Sequence, residues 1–217
     1  MNEEAERHSR PIEVDLITDP VERARQEARN GLRQFDAVIE QIEYWLQPER
    51  PFRLRPSAVL HLHRKALEGI SAFAGVWRPA GIEIAGSKHA PPPAHLVPEL
   101  IEQMCEYIND NWSRSPVHLA AFAMWRMNWI HPFTDGNGRT SRALSYLVLC
   151  VRLGYRLPGV NTIPEQIAAN KKPYYEALEA ADKLGFPEAL DVSAMERLLE
   201  DLLAKQLASV LRAAIGD

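Results

Sequence analysis

Read as a string of apolar and polar positions, the chain is helical almost from end to end. Val21, Ala24, Ala28, Leu32, Phe35, Ile39 and Ile42 recur at three- and four-residue steps. This predicts an amphipathic helix opened by Asp19-Pro20, with those residues on its inner face. Further helices are expected at about 57–73, 97–111, 116–130, 139–153, 164–169, 173–184 and 192–215. The last has Met195, Leu198, Leu199, Leu202, Leu207 and Leu211 on one face, which suits packing on a bundle. Residues 116–130 and 143–151 differ in kind: they are apolar nearly all round, as helices in the middle of a core are. Ser115 as N-cap and Pro116 at the first helical position open the former. The expected fold class is all-α, a helical bundle.

Composition adds bounds. The chain has 217 residues, 46% of them hydrophobic, enough to bury a full core as one domain with extensions. A formal charge of −4 gives no push towards nucleic acid or an anionic membrane. No apolar run is long and uncharged enough to span a bilayer. The first residues lack a hydrophobic signal region, so a cytoplasmic location is expected. Cys105 and Cys150 fall on apolar helix faces and are expected to be reduced core residues.

Between the two apolar helices lies His131-Pro132-Phe133-Thr134-Asp135-Gly136-Asn137-Gly138-Arg139-Thr140-Ser141-Arg142. A loop pinned between buried helices is where a rigid scaffold presents a site. Gly136 and Gly138 allow a turn whose amides, with the positive end of the following helix, form an anion cradle suited to phosphates. Arg139 and Arg142, three residues apart, share a helical face and can grip neighbouring phosphates. Asp135 is placed to hold a hard cation such as Mg²⁺ against them. His131 titrates near neutral pH and is the natural general base. Together these groups spell attack of a hydroxyl on a nucleotide phosphate.

The pattern His-x-Phe-x-Asp-Gly-Asn-Gly-Arg-x-x-Arg resembles the signature of the Fic family at every defining position. The resemblance implies that the base, His131, deprotonates a Ser, Thr or Tyr hydroxyl of a target protein. That hydroxyl attacks the α-phosphate of ATP, leaving AMP on the target and releasing pyrophosphate, with Mg²⁺ at Asp135. It assigns nucleotide binding to Asp135, Gly136, Asn137, Gly138, Arg139 and Arg142. The related Doc branch, which phosphorylates, replaces the Gly-Asn-Gly-Arg core that is intact here. The alternatives are a toxin-like interaction module on the same fold, or transfer of another phosphate-containing group.

The resemblance extends over about 56–182. Residues 78–93 resemble the family's flap, a short β-hairpin over the nucleotide, with Ile84, Ala85, Gly86 and Ser87 against it. The alternation of Ile82 and Ile84 between Gly81 and Gly86 suits an extended piece whose edge can pair with a target backbone. Gly81 and Gly86 also have P-loop separation, but Ser87-Lys88 is in the wrong order, which excludes that reading. Tyr174 and Tyr175 resemble the family's pair near adenine and ribose; an aromatic ring can stack on the base. Asp182 stands where relatives carry Asn and is a candidate for a sugar hydroxyl. The expected organisation is a flexible N-terminus (1–18), a helical extension (19–55), the Fic core (56–185) and a C-terminal helix packed on it (186–217).

Three further features are read structurally. His61 and His63 lack companions for a tetrahedral zinc set and are expected on a solvated helix face. The charge run from Glu22 to Arg29 is expected to be the exposed side of the first helix. The family's inhibitory Ser/Thr-x-x-x-Glu-Gly/Asn element has no full copy. Thr18 to Glu22 comes near it but ends in Arg23, so Glu22 is expected to be a first-turn acid and not a partner of Arg142. Control is thereby left to a separate inhibitory protein, to oligomerisation or to a degenerate internal element.

Overall fold

The computed structural model describes residues 15–84, 89–183 and 190–215. Its helices are α1 (Pro20–Trp45), α2 (Pro56–Leu67), α3 (Val97–Asp110), α4 (Pro116–Ile130), α5 (Asn137–Leu153), α6 (Ile163–Ala169), α7 (Lys172–Asp182) and α8 (Ser193–Ile215). A 3-10 turn at Ala94–Leu96 leads into α3. The all-α expectation holds, and no described helix is long and apolar enough to cross a membrane.

Helix α4 sits at the centre. Ser115 Oγ accepts from the His118 amide and Pro116 occupies the first turn. Leu119 through Met127 and Ile130 are all buried, because α3, α5, α7 and α8 surround α4. Helix α5 lies against it and is buried from Ala143 to Val151, ending at Gly154 in the left-handed region (φ 84°). There the Gly154 amide closes the last turn on the Cys150 and Val151 carbonyls. Cys105 and Cys150 are free and buried; burial raises their thiols to about 12 and about 11, so they stay protonated.

Four expectations are corrected or, for the hairpin, fall partly outside the described residues. The helix expected at 57–73 stops at Leu67, where Glu68 leaves helical geometry (ψ 127°) and Gly69 takes φ +74°. Around the expected hairpin, residues 81–84 and 89–93 form no strand, and Ala85, Gly86, Ser87 and Lys88 lie outside the described residues. On α8, the packed face stops near Gln206, whose buried side chain bonds the Ile163 amide and the Pro158 carbonyl; Leu211 is 67% exposed.

The fourth correction concerns α1. The first part of its expected apolar face is turned outward: Val21, Leu32 and Phe35 are exposed while Asn30, Gln34, Ala37 and Val38 are buried, and only Ile39 and Ile42 pack on the core as expected. The reason is what α1 packs on. Asn30 Nδ2 donates to the carbonyls of Ala66 (3.2 Å) and Glu68 (2.8 Å), and Gln34 Nε2 to that of Leu62 (3.0 Å). The Ala66 and Glu68 carbonyls belong to the last turn of α2 and the turn after it, where free acceptors accumulate, and the Leu62 carbonyl to the turn before. Amides satisfy them where leucine would not. Asn30→Ala should therefore destabilise the chain by about 1–3 kcal/mol in urea unfolding, since buried carbonyls lose their donor.

Candidate active site

The candidate residues converge where α4 gives way to α5. His131 terminates α4 in the left-handed region (φ 50°, ψ 58°), uncommon for a residue with a side chain. Its amide still closes on the Met127 carbonyl, and Pro132 cannot extend the helix. Phe133 is fully buried. Asn137 Oδ1 accepts from the Phe133 amide (2.9 Å) and its Nδ2 donates to the Phe133 carbonyl (2.8 Å). The side chain of Asn137, expected on the nucleotide, is thus spent on fixing the loop. Gly136 has φ +77°, and a Cβ there would meet Leu67 Cδ2 at 2.5 Å, so only glycine fits.

Beneath this loop lies His63, and the solvated-face reading of it is overturned. It is 1% exposed and its ring stacks on Phe133, with centroids 3.5 Å apart. The Gly75 amide donates to Nδ1 (2.9 Å), which leaves Nε2 to carry the proton and donate to the Asp135 carbonyl (3.0 Å). Burial holds its pKa down at about 4. Its partner on the sequence, His61, is exposed as expected. A hint was available: His63 lies one position from Leu62 and four from Leu67, both fully buried.

A cavity of about 720 Å³ opens above the loop. Its wall brings together His131, Asp135, Gly136, Asn137, Gly138, Arg139 and Arg142 with Ile84, Tyr174, Tyr175 and Asp182. His131 Nδ1 lies 3.3 Å from the Asn128 carbonyl, so it carries the proton and Nε2 keeps its lone pair. Burial lowers the His131 pKa to about 4, helped by the nearby charge of Arg78; the imidazole is neutral at pH 7. Arg142 is largely enclosed, its pKa lowered by burial, and stands beside the tyrosines. Tyr174 is buried with its hydroxyl 3.2 Å from Ser141 Oγ, whereas Tyr175 is half exposed. Asp182 accepts from Trp125 Nε1 (2.8 Å), so one of its oxygens is already engaged.

The charge run of α1 is the second surprise. Arg23 and Glu27, expected on the solvent side, face the loop. Arg23 bonds Asp15 (2.8 Å), Glu27 (3.3 Å) and Asp135 Oδ2 (3.3 Å). Arg139 bonds Asp135 Oδ2 (3.2 Å) and approaches Glu27 (3.7 Å), which itself lines the cavity. Glu22, as expected, belongs to the helix cap: Asp19 Oδ1 accepts from the Val21 and Glu22 amides. Glu27 is the acid that sequence reasoning missed. Its signal was the four-residue step from Arg23, which places both on the side of α1 that carries Asn30 and Gln34.

Comparison with known proteins agrees with the motif. Residues 53–149 match the Fic/DOC family model. The protein adenylyltransferase Fic of Drosophila willistoni is 36% identical over 128 residues, which cover 58% of this chain and 24% of that protein. The chain thus spans about a quarter of the length of that relative. In three dimensions it resembles a Fic family protein from Desulfovibrio desulfuricans (TM-score 0.69, 23% identity, 91% of this chain and 56% of that one). It also resembles the BepC protein of Bartonella tribocorum, solved with bound AMPPNP (TM-score 0.56, 17% identity, 86% and 88% covered). Residues 53–149 are thus similar in sequence to that family, and the fold around them is that of solved Fic proteins.

Burial of neutral His63 makes stability depend on pH. An unfolded histidine takes a proton as pH falls through about 6.5, while the folded one resists until about 4. The stabilisation is complete above 6.5 and is lost between 6.5 and 4, amounting to about 3 kcal/mol for this group. Urea midpoints measured at pH 7.5 and pH 4 should differ accordingly, and His63→Gln should shrink the difference.

Proposed function

We propose that the chain is a protein adenylyltransferase that moves AMP from ATP to a Ser, Thr or Tyr hydroxyl of a target protein. The observation that carries this is a neutral imidazole, His131, on the same cavity wall as a glycine-turned helix N-terminus and two arginines. The name of the Drosophila relative and the nucleotide analogue bound to BepC support it.

The chemistry follows from the groups present. Amides of the first turn of α5 and its positive end receive phosphate oxygens, while the Gly136 amide donates to Asp135 Oδ1 (2.6 Å). Arg139 and Arg142 neutralise charge on the phosphates and fix their direction. The target hydroxyl gives its proton to His131 Nε2 while its oxygen bonds the α-phosphorus and the bond to pyrophosphate breaks. Tyr175, half exposed on the cavity wall, suits stacking on adenine; Tyr174 closes the wall behind it.

Asp135 offers a single carboxylate, and no cluster of three metal-ligating side chains occurs among the described residues. That fits Mg²⁺ bound jointly by one carboxylate and substrate phosphates. When bound, the ion would neutralise phosphate charge.

Glu27 suits a restraining role. It approaches Arg139 from α1, so a phosphate must displace it to use that arginine. Arg23 stands where the family's inhibitory element carries Ser or Thr, and Ala28 where it carries Gly or Asn, so the element is degenerate.

Incubation with α-labelled ATP, Mg²⁺ and cell lysate tests the reading; absence of any labelled protein would defeat it. His131→Ala should lower labelling by about 10²–10⁴-fold with ATP-analogue affinity retained, because the base acts on the hydroxyl. Since a neutral imidazole is required, the rate should hold steady from pH 8 to 6 and fall as pH approaches 4. Glu27→Ala should raise labelling by up to about fivefold, the factor an exposed ion pair permits. Unchanged labelling in that variant would remove Glu27 from the account.

A further inference from the structure

Arg78 is 2% exposed, and its guanidinium is held by backbone carbonyls from three stretches of chain. Nε donates to the His131 carbonyl (2.8 Å) and Nη1 to that of Ala80 (2.9 Å). Nη2 donates to the Pro92 carbonyl and lies 3.5 Å from that of Ile130. Its backbone amide donates to the Pro132 carbonyl (2.8 Å). A guanidinium taken out of water is costly unless its donors are matched, and here a rigid planar fork reaches several acceptors at once.

Each acceptor has a role near the cavity. Ile130 and His131 are the C-terminal end of α4, where carbonyls lack helical partners and the dipole favours a cation. The His131 carbonyl belongs to the residue in the left-handed conformation, which persists only where its surroundings over-determine it. Ala80 and Pro92 stand at the two ends of the segment whose Ile82, Glu83 and Ile84 line the cavity. Two neighbours strengthen the arrangement: Trp77 stacks on Phe133 (5.1 Å) and His89 Nε2 bonds the Trp129 carbonyl (2.7 Å).

We propose that Arg78 is a positioning residue that holds His131 in its left-handed conformation and ties the backbone at Ala80 and at Pro92 to it. The proposal rests on the adenylyl-transfer reading for its functional consequence. A target hydroxyl must meet His131 Nε2, so the imidazole must be held in a fixed place beside the cavity wall at Ile82 to Ile84. None of the contacts of Arg78 reaches the phosphate cradle from Gly136 to Arg142. Loss of the fork should therefore lower kcat and spare nucleotide binding. Lysine keeps the cation but has one donor centre, which cannot span the carbonyls of His131, Ala80 and Pro92.

The test uses the full chain, with Arg78→Lys and Arg78→Gln beside the wild type. In Arg78→Lys, the affinity for an ATP analogue should stay within about threefold. The labelling rate should fall on the order of 10²-fold, the scale that misplacement of a reacting group by about 1 Å produces. Arg78→Gln should fall at least as far. A merely structural role would lower melting temperature and nucleotide affinity together, and labelling by Arg78→Lys within threefold of wild type overturns the proposal. A wild-type chain that labels nothing defeats the adenylyl-transfer reading instead. The clamp is then judged by NMR: the Arg78 Nε proton should exchange slowly, and the His131 amide should shift in Arg78→Lys. Fast exchange of that proton in the wild type overturns the proposal even if neither variant folds.

Discussion

Helices α4 and α5 are the two most enclosed elements, packed along each other, and residues 131–136 are all that reverses the chain between them. Every property of the cavity depends on that short reversal. Its first residue, His131, must leave helical geometry at once, and Gly136 must adopt a conformation in which a side chain would strike Leu67. Because both helices are locked into the core, the turn inherits their rigidity. Preorganisation of this kind is what a phosphate-handling site requires.

The reversal is held from below and from the side. His63 from α2 stacks on Phe133 and bonds the Asp135 carbonyl, while Asn137 fixes both backbone groups of Phe133. Arg78 holds the other end at His131. These supporting groups are buried and hydrogen-bonded to the backbone around the turn, beneath the wall that faces the cavity. The same low-dielectric surroundings keep both His63 and His131 neutral. One environment therefore produces a structural hydrogen-bond donor in one case and a candidate base in the other; their access to the cavity separates the roles.

Helix α1 adds a charged layer. Arg23 and Glu27 join Asp15, Asp135 and Arg139 in a partly exposed network beside the cradle. Partly exposed ion pairs are individually weak. A phosphate or metal ion could displace them, which a buried pair would resist.

The local chemistry was legible in the sequence: the run from His131 to Arg142, the flanking apolar helices and the Ser115-Pro116 start all depend on near neighbours. Their spacing along the chain carries the information. The orientation of the first part of α1 was not legible, because the residues it buries there, Asn30 and Gln34, are polar. Asn30 and Gln34 are buried only because the carbonyls of Leu62, Ala66 and Glu68 meet them in the tertiary structure. For the same reason Arg78 carried no distinctive local pattern, and His63 and Glu27 only a faint one in their spacing from Leu62, Leu67 and Arg23. Each acquires its role from partners brought from elsewhere in the chain: Asp135 for His63, His131 and Pro92 for Arg78, and Arg139 for Glu27. Periodicity reports which residues share a helix face; only packing decides which face turns inward and what it finds there.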